Sequence, residues 1–290
     1  MLTVTIDALD EGRTLASWLR NRMPNAPRAF LGKLVRSGAA NVNGAPPDRP
    51  LQGGDVVNLR ASARVIEQTA QGPCILDVVY DDPDILILNK PVGFPTHPVA
   101  RQTGADVLQI AQGLATGLEH DGTYHAVNRL DRWTSGILLL APGARRAAAW
   151  ARLFQERRVD KRYLACVAGH PPAEGTVEMP VDGQDAITQF RTLACHGGIA
   201  MLLVHPHTGR KHQVRRHLAG VGCPLLGDTR YGDGGRDGLP GALLHAAAIA
   251  LPHPGTGGEL RVFAPLPATW QPFLRKLSIK GVAGTVMGAL

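Results

Sequence analysis

The chain has 290 residues, of which 44% are hydrophobic and 19% charged, a composition that supports a sizeable core and excludes a disordered or fibrous protein. No run approaches the roughly 18 to 20 consecutive apolar residues of a membrane helix, and the acidic N-terminal segment does not fit a secretion signal. Lysine and arginine outnumber the acids by 31 to 24, giving a net charge of +7 that favours polyanionic partners.

The four cysteines are dispersed along the chain and form no C-x-x-C pair: Cys74, Cys166, Cys195 and Cys223. This spacing argues against a zinc site and against a disulfide framework. We therefore expect a cytoplasmic protein with reduced thiols and no membrane partner.

The first sixty residues predict a small domain of two helices and two strands. Leu15, Trp18 and Leu19 have helical spacing within residues 14–23, and a second apolar pattern at residues 30–35 predicts a helix that ends at Gly38. Strands are predicted at residues 40–42 and 56–59, the first followed by an Asn43-Gly44 turn. The polar residues 62–73 lack periodicity, so we expect domains at 1–61 and 74–290 joined by this linker.

The larger domain predicts alternating strands and helices. Strands are expected at residues 75–80, 85–88, 137–140, 164–167, 176–181, 186–193 and 198–204, helices at 107–118, 144–156 and 213–219, and closing strands between 249 and 267. Residues 89–98 contain three prolines and a glycine, which predicts an extended, bent loop.

One stretch concentrates polar chemistry at the start of a buried strand. Residues 124–141 read YHAVNRLDRWTSGILLLA, in which a turn containing Asp131 precedes the apolar run 137–140. Thr134 and Ser135 have hydroxyls that can bond to nearby backbone groups and so support the loop. The tripeptide Arg129-Leu130-Asp131 alone is more typical of an ordinary turn that leads into a strand than of a catalytic site.

The longer string resembles a known catalytic motif. R-L-D-x-x-T-S-G followed by an aliphatic strand is similar to the motif of the RluA family of RNA pseudouridine synthases, in which the aspartate is the essential side chain. Further similar motifs follow the family order: NKPVGFPTHP at 89–98, KRYLACVAG at 161–169 and PHTGRKHQVRRHLAGVGCPLLGDTRYG at 206–232. Residues 38–45, GAANVNGA, and GDVV at 54–57 resemble the alpha-L RNA-binding motif that often precedes the catalytic domain.

The resemblance implies a fold, a reaction and a set of site residues. The fold would be α+β, with a central, mainly antiparallel sheet, flanking helices and an active-site cleft, and the enzyme would act as a monomer without a cofactor on ribosomal or transfer RNA. Asp131 would be the catalytic carboxylate, Arg210 would keep it ionised through a bidentate ion pair, and Tyr163 would stack on the base and assist removal of the proton from the ring carbon. The residues implied to bind RNA are Arg129, Arg132, Arg28, Lys33 and Arg36; His212 and Gln213 would hold the loop that carries Arg210.

Several alternatives remain open at this stage. The chain has Asn128 where the family usually has histidine, and Trp133 where a smaller or polar residue is usual, which favours an inactive RNA-binding or ribosome-assembly factor. Arg129 would either fill the gap left by the flipped uridine or form a salt bridge that holds its loop.

A metal site at His207, His212 and His217 is disfavoured, because a spacing of five residues does not align side chains on one face of a helix. A metal-dependent nuclease is also disfavoured, because the sequence lacks the acidic cluster that would hold the metal. Asp131 would act either by covalent attack or by abstracting a sugar proton.

Overall fold

The computed structural model describes residues 2–6, 11–22, 31, 34–36, 38–47, 49–59, 77–97, 106–115, 123–232, 239, 241–278 and 282–290. The chain divides into two compact units, of which the first comprises residues 1–77, 102–105 and 109–119 and the second comprises the remainder. The proposed linker and the interior of the second N-terminal helix lie outside the described residues. In the described part of the chain, no helix has the length and apolar character that crossing a bilayer requires.

The first unit contains a three-stranded antiparallel sheet. Its strands are β1 (Leu2–Thr5), β2 (Ala40–Val42) and β3 (Val56–Leu59), in the order β1-β3-β2. Helix α1 (Leu15–Arg22) buries Leu15, Trp18 and Leu19, the three residues whose spacing predicted it. The structure also shows helical residues at 31 and 34–36, whereas β1 carried no sequence signal that we recognised.

The second unit is built on one large mixed sheet. In chain order its elements are β4 (Asp77–Asp82), β5 (Ile85–Lys90), α2 (Val107–Ala115), β6 (Tyr124–Ala126), β7 (Thr134–Pro142), α3 (Ala144–Gln155), β8 (Asp160–Ala168), β9 (Glu174–Val177), β10 (Thr188–His196), β11 (Ile199–Pro206), α4 (Gln213–Gly220), β12 (Leu244–Pro252), β13 (Glu259–Phe263), a 3₁₀ turn (Ala268–Trp270), α5 (Gln271–Lys276) and α6 (Val282–Met287). Asp77 of β4 and residues 109–115 of α2 are assigned to the first unit.

The strand order is β4-β5-β7-β12-β8-β11-β10-β9, with β6 added to β7 and β13 added to β12. Strand β12 pairs in parallel with β7 and antiparallel with β8 and β13, and the pairs β5–β7, β8–β11 and β10–β11 are antiparallel. The expected α+β fold around a mainly antiparallel sheet is therefore confirmed.

Strand β7 lies in the middle of this sheet and is longer than predicted. All its residues from Thr134 to Pro142 are buried, because β5 and β12 pair along its two edges. Gly136 has φ +106, and a Cβ at this position would collide with the carbonyl group of Ala246 on β12. The glycine thus allows β12 to approach closely at the point where the loop carrying Asp131 enters the sheet.

Several strands differ in their bounds from the prediction, and for two of them the structure shows the reason. The strand expected at 176–181 ends at Val177, and Val181 forms only an isolated bridge with Gln184. Pro180 has no N–H to donate to a ladder, which explains the interruption. The strand expected at 186–193 is shifted to Thr188–His196, because Ile187 instead donates its N–H to the side chain of Thr208.

Candidate active site

Asp131 lies on the loop between β6 and β7, and neutral hydrogen bonds fix this loop. Asn128 accepts the N–H of Leu139 at 2.8 Å through Oδ1 and donates to the carbonyl oxygen of Ile137 at 3.3 Å through Nδ2. The amide and carbonyl of Leu130 both bond to the hydroxyl of Thr96, at 3.1 and 3.0 Å. The side chain at the position where the family usually has histidine therefore clamps the loop onto β7.

The loop of residues 91–97 packs against the loop that carries Asp131. Gly93 donates its N–H to the carbonyl oxygen of Arg132 at 2.8 Å, and Arg132 Nε donates to the carbonyl oxygen of Gly93 at 2.9 Å. Buried Lys90 donates from Nζ to the carbonyl oxygens of Pro91 and Phe94 at 2.9 and 2.8 Å. These bonds tie two irregular segments into a single rigid layer.

Trp133 has a structural environment of its own. The Arg132 guanidinium lies 4.8 Å from the centroid of the Trp133 ring, and the ring lies close to Gly93. A Cβ on Gly241 would lie 2.8 Å from atoms of Trp133, so the tryptophan occupies space that only a glycine leaves open. Trp133 is thus accommodated by packing within the second unit, and Arg132 contributes to the loop structure as well as to the positive surface.

Thr134 and Ser135 support the loop in ways that differ from the prediction. The backbone N–H of Thr134 donates to the carbonyl oxygen of Asp131 at 3.0 Å, whereas the Ser135 hydroxyl bonds to Nδ1 of His245 on β12 at 2.9 Å. The Ser135 side chain contacts the neighbouring strand rather than the turn because the residue already belongs to β7. Burial lowers the pKa of His245 to about 4, which keeps the imidazole neutral in this contact.

The cation paired with Asp131 is Arg215 and not Arg210. Nη1 of Arg215, in the first turn of α4, lies 3.5 Å from Oδ2 of Asp131. Arg210 lies in the turn before this helix and donates from Nε to the carbonyl oxygen of Asp185 at 3.2 Å. The expected ion pair of Arg210 with Asp131 is thus absent from the structure, because the helix directs the later arginine toward the loop that carries Asp131.

Arg215 is itself held by a buried carboxylate. Its Nε and Nη2 each donate to Asp228 at 2.8 Å, and Asp228 also accepts the N–H groups of Arg230 and Tyr231. Burial favours the neutral form of Asp228, but the hydrogen bonds from Arg215 and the backbone outweigh it and lower the pKa of Asp228. Sequence reasoning missed both residues, although the resemblance included the segments that contain them.

His212 and Gln213 connect the loop to the helix. Gln213 Oε1 accepts bonds from the Thr208 hydroxyl at 2.6 Å and from the N–H of Arg210 at 3.0 Å, which are the contacts required to hold the loop carrying Arg210. His212 Nε2 lies 3.7 Å from Asp131 Oδ2, and its Nδ1 bonds to the Tyr231 hydroxyl at 3.0 Å. Burial lowers the pKa of His212 despite the nearby negative charge of Asp131.

These side chains line a pocket of about 180 Å³. Tyr163 and Lys161 lie along one wall on β8, and the described charged residues that line it are the carboxylate Asp131 and the cations Arg129, Lys161, Arg210, Lys211 and Arg215. Arg129 is exposed and makes no ion pair with any described residue, so the contact that would make it a loop-holding salt bridge is not observed. A pocket of this kind suits a single neutral ring attached to a phosphate backbone.

Tyr163 lines the pocket, and its surroundings disfavour ionisation of the phenol. Burial, followed by the negative charge of Asp131, raises the pKa of Tyr163, so the phenol retains its proton at neutral pH. This shift disfavours the expected assistance of Tyr163 as a base, while a stacking role remains compatible with its position.

The other predicted residues do not converge on this pocket. Arg36 is exposed in the first unit, and Arg28 and Lys33 lie outside the described residues. The three histidines considered as metal ligands have separate partners: His207 contacts the ring of His205, His212 bonds to Tyr231, and His217 bonds to the carbonyl oxygen of Met179.

The fold and the pocket are those of an enzyme that acts on a nucleotide within RNA, and the comparisons with known proteins agree. Residues 84–220 match the family described as RNA pseudouridylate synthase. Ribosomal large subunit pseudouridine synthase C of Escherichia coli is 30% identical over 313 residues, an alignment that covers 94% of this chain and 96% of that protein. An uncharacterised RNA pseudouridine synthase of Mycobacterium bovis is 31% identical over 286 residues, covering 90% of this chain and 93% of the relative.

A solved structure supports the same assignment. Human RNA pseudouridylate synthase domain containing 4 is 28% identical, with a TM-score of 0.60, and the match covers 71% of this chain and 94% of that one. The chain belongs to the RluA family of RNA pseudouridine synthases. It is accordingly an RNA pseudouridine synthase, an isomerase of RNA uridines.

Proposed function

We propose that this enzyme isomerises specific uridines of ribosomal RNA, with Asp131 as the essential catalytic carboxylate. The observation that carries the proposal is the pocket itself, in which Asp131 is the carboxylate among five cations and lies beside Tyr163. Relatives named ribosomal large subunit pseudouridine synthases C and D, both 30% identical to this chain, favour ribosomal RNA over transfer RNA as the substrate.

The roles of the side chains follow from their contacts. Asp131 acts on the sugar of the flipped uridine, Arg215 holds the carboxylate in position, and Asp228 fixes the guanidinium of Arg215. Tyr163 provides an aromatic face for the base. Arg129 is exposed and forms no ion pair with the described residues, so it can enter the gap left in the RNA stack. Arg210 and Lys211 bind phosphates of the RNA.

The first domain, which we place at residues 1–61, supplies additional RNA affinity. Arg36 is exposed, as a phosphate contact requires, and Arg28 and Lys33 belong to the same predicted surface. We place the catalytic domain at residues 74–290 and expect the protein to be a monomer. We expect it in the cytoplasm, because ribosomal RNA is available there and dispersed thiols stay reduced.

The alternative of an inactive RNA-binding factor rested on Asn128 and Trp133. Both now have structural explanations, since Asn128 bonds to β7 and Trp133 packs beside Gly93 and Gly241. Neither substitution displaces Asp131 from Arg215. The departures from the family pattern therefore no longer favour an inactive protein.

The direct test is pseudouridine formation in unmodified ribosomal and transfer RNA, mapped by a base-specific chemical block to reverse transcription. We expect one or a few sites in ribosomal RNA with the native protein and none with Asp131→Asn, which preserves the size of the side chain but removes its charge. Thermal unfolding of both proteins controls for folding. Equal modification by native and variant protein would remove Asp131 from the mechanism, and a native protein that binds RNA without modifying it would support the binding factor.

A further inference from the structure

Lys161 lies in the pocket beside Tyr163 and has no role in the chemistry described so far. Residues two apart in a strand project from the same face, and both residues line the pocket that contains Asp131. Arg162 points to the opposite face, where it bonds to both carboxylate oxygens of Asp160 and to the carbonyl oxygen of Ala289. The carboxylate of Asp160, next to Lys161 in the sequence, is therefore paired with Arg162.

The Lys161 amine has unused hydrogen-bonding capacity. Its Nζ donates to the carbonyl oxygen of Thr208 at 3.3 Å, and it forms no ion pair with any described residue. Thr208 is fixed by its hydroxyl, which bonds to Gln213, so this single partner holds the amine at the edge of the pocket. An amine with one weak partner retains further sites for a bound ligand.

We propose that Lys161 is a catalytic residue that removes the proton from C5 of the rotated uracil. The inference rests on the proposed function and assigns the step that follows the action of Asp131 on the sugar. Lys161 and Tyr163 both line the pocket, so a base stacked on Tyr163 would occupy the same pocket as this amine. No other lysine in the described part of the pocket comes from the strand that carries Tyr163.

The step balances without a further reactant. Once the N1–C1′ bond has broken and the C5–C1′ bond has formed, C5 carries both hydrogen and the sugar, and C6 is doubly bonded to N1. Neutral Lys161 takes the proton from C5, the C–H electron pair forms the C5–C6 double bond, and the C6–N1 π pair moves to N1. N1 then accepts a proton from the resulting ammonium, directly or through water, which regenerates the amine.

The protonation states fit these roles. Burial, opposed by the charge of Asp160, lowers the pKa of Lys161 to about 8, so that about one amine in ten is neutral at pH 7. The pKa of Tyr163 is raised, which makes the phenol a poor base. The charged and titratable groups around Lys161 are Asp160, Arg162 and Tyr163 on β8, His205 on β11, and Asp131, Arg129, Arg210, Lys211, His212 and Arg215 around the pocket.

The test compares RNA transcripts that contain uridine, 5-deuterouridine or 5-fluorouridine in single turnover, with product nucleosides separated after nuclease digestion. 5-Fluorouridine has no proton at C5 to remove. We expect Lys161→Met to slow pseudouridine formation at least about 100-fold and to increase the deuterium isotope effect. Cleavage of the N1–C1′ bond of 5-fluorouridine should proceed at the native rate.

Matched variants separate base catalysis from charge and folding. Lys161→Arg retains the positive charge but stays protonated, so it should be as slow as Lys161→Met. Lys211→Met removes one positive charge from the same pocket and should not increase the isotope effect. Thermal unfolding and 5-fluorouridine cleavage report whether each variant is folded.

The outcomes are distinct. Equal slowing of the uridine and 5-fluorouridine reactions, or rescue by Lys161→Arg, would make Lys161 a binding residue and overturn the proposal, as would an unchanged rate in Lys161→Met. Native protein that converts no substrate, or full activity of Asp131→Asn, would instead overturn the proposed function.

Discussion

The two sides of the catalytic pocket are held together by different kinds of bonds. On one side, the loop carrying Asp131 is fixed by hydrogen bonds of Asn128, Thr96 and Gly93 with backbone groups. On the other, α4 is fixed by the buried ion pair of Arg215 with Asp228 and by the contact of His212 with Tyr231. The position of the carboxylate therefore depends on neutral bonds, whereas its electrostatic environment depends on groups that titrate.

The position of Asp131 and the charge around it should therefore respond differently to pH. Neutral backbone hydrogen bonds keep their strength across the pH range in which carboxylates and histidines change charge. A buried arginine, in contrast, holds its place only while its carboxylate partner is ionised. Variants on the first side should therefore lose stability independently of pH, whereas variants on the second side should change the charge of the pocket and the response of stability to pH.

The largest effect is expected from Arg215→Lys. Lysine cannot reproduce the bidentate bond to Asp228 together with the contact to Asp131, so we expect kcat/KM to fall about 10³-fold. Steady-state pseudouridine formation measures this change. The matched variant Arg210→Lys should mainly raise KM, because Arg210 contacts the carbonyl oxygen of Asp185 and not Asp131. A loss of kcat in Arg210→Lys that exceeds the loss in Arg215→Lys would indicate that Arg210, and not Arg215, is the partner of Asp131.

The next largest effect is expected on stability. Asp228→Asn leaves the buried guanidinium of Arg215 without its ionised partner and should lower the free energy of unfolding by about 3 kcal/mol. Chemical denaturation followed by tryptophan fluorescence measures the loss. Asp185→Asn, at an exposed residue that contacts Arg210 only through its backbone carbonyl, is the control and should change stability by less than about 0.5 kcal/mol.

On the neutral side, a smaller loss is expected from Asn128→Ala. Removing both bonds to β7 should cost about 1 to 2 kcal/mol of stability, and the loss should be the same at pH 5 and pH 8 because no ionised partner is involved. Asn128→Asp retains an acceptor for the N–H of Leu139 but places a carboxylate oxygen against the carbonyl oxygen of Ile137, so its loss should be larger at pH 8 than at pH 5. A strongly pH-dependent loss in Asn128→Ala would contradict the contrast drawn between the two sides.

The smallest effect per group is expected from mild acid. The pKa of Asp228 and that of Asp82 are lower in the folded protein than in the unfolded chain, where aspartate titrates near about 3.9. Their stabilisation is thus complete above the unfolded value and is lost as the pH falls through the lower folded values. Thermal unfolding from pH 7 to pH 3 should show this decline, and Asp228→Asn should flatten it. An unchanged slope would mean that Asp228 does not contribute.

The comparison also shows where sequence reasoning succeeds. Buried helices and strands such as α1 and β7 follow from the spacing of their apolar residues, because burial imposes that spacing locally. The order of motifs identified the family, and the resemblance of the R-L-D-x-x-T-S-G string to the family motif pointed to Asp131. These inferences depend on residues close together in the chain.

The tertiary structure decided which distant groups meet. The resemblance led to Arg210 as the partner of Asp131, whereas the direction of α4 relative to the loop before β7 brings Arg215 to the carboxylate. The space for Trp133 depends on Gly241, more than a hundred residues away. The sequence by itself determined the family, the main buried elements and the carboxylate that we propose as catalytic, since each of these depends on residues that lie close together in the chain. The structure alone identified Arg215, its buried partner Asp228 and the position of the Lys161 amine in the pocket, because contacts between remote segments depend on how the whole sheet is assembled.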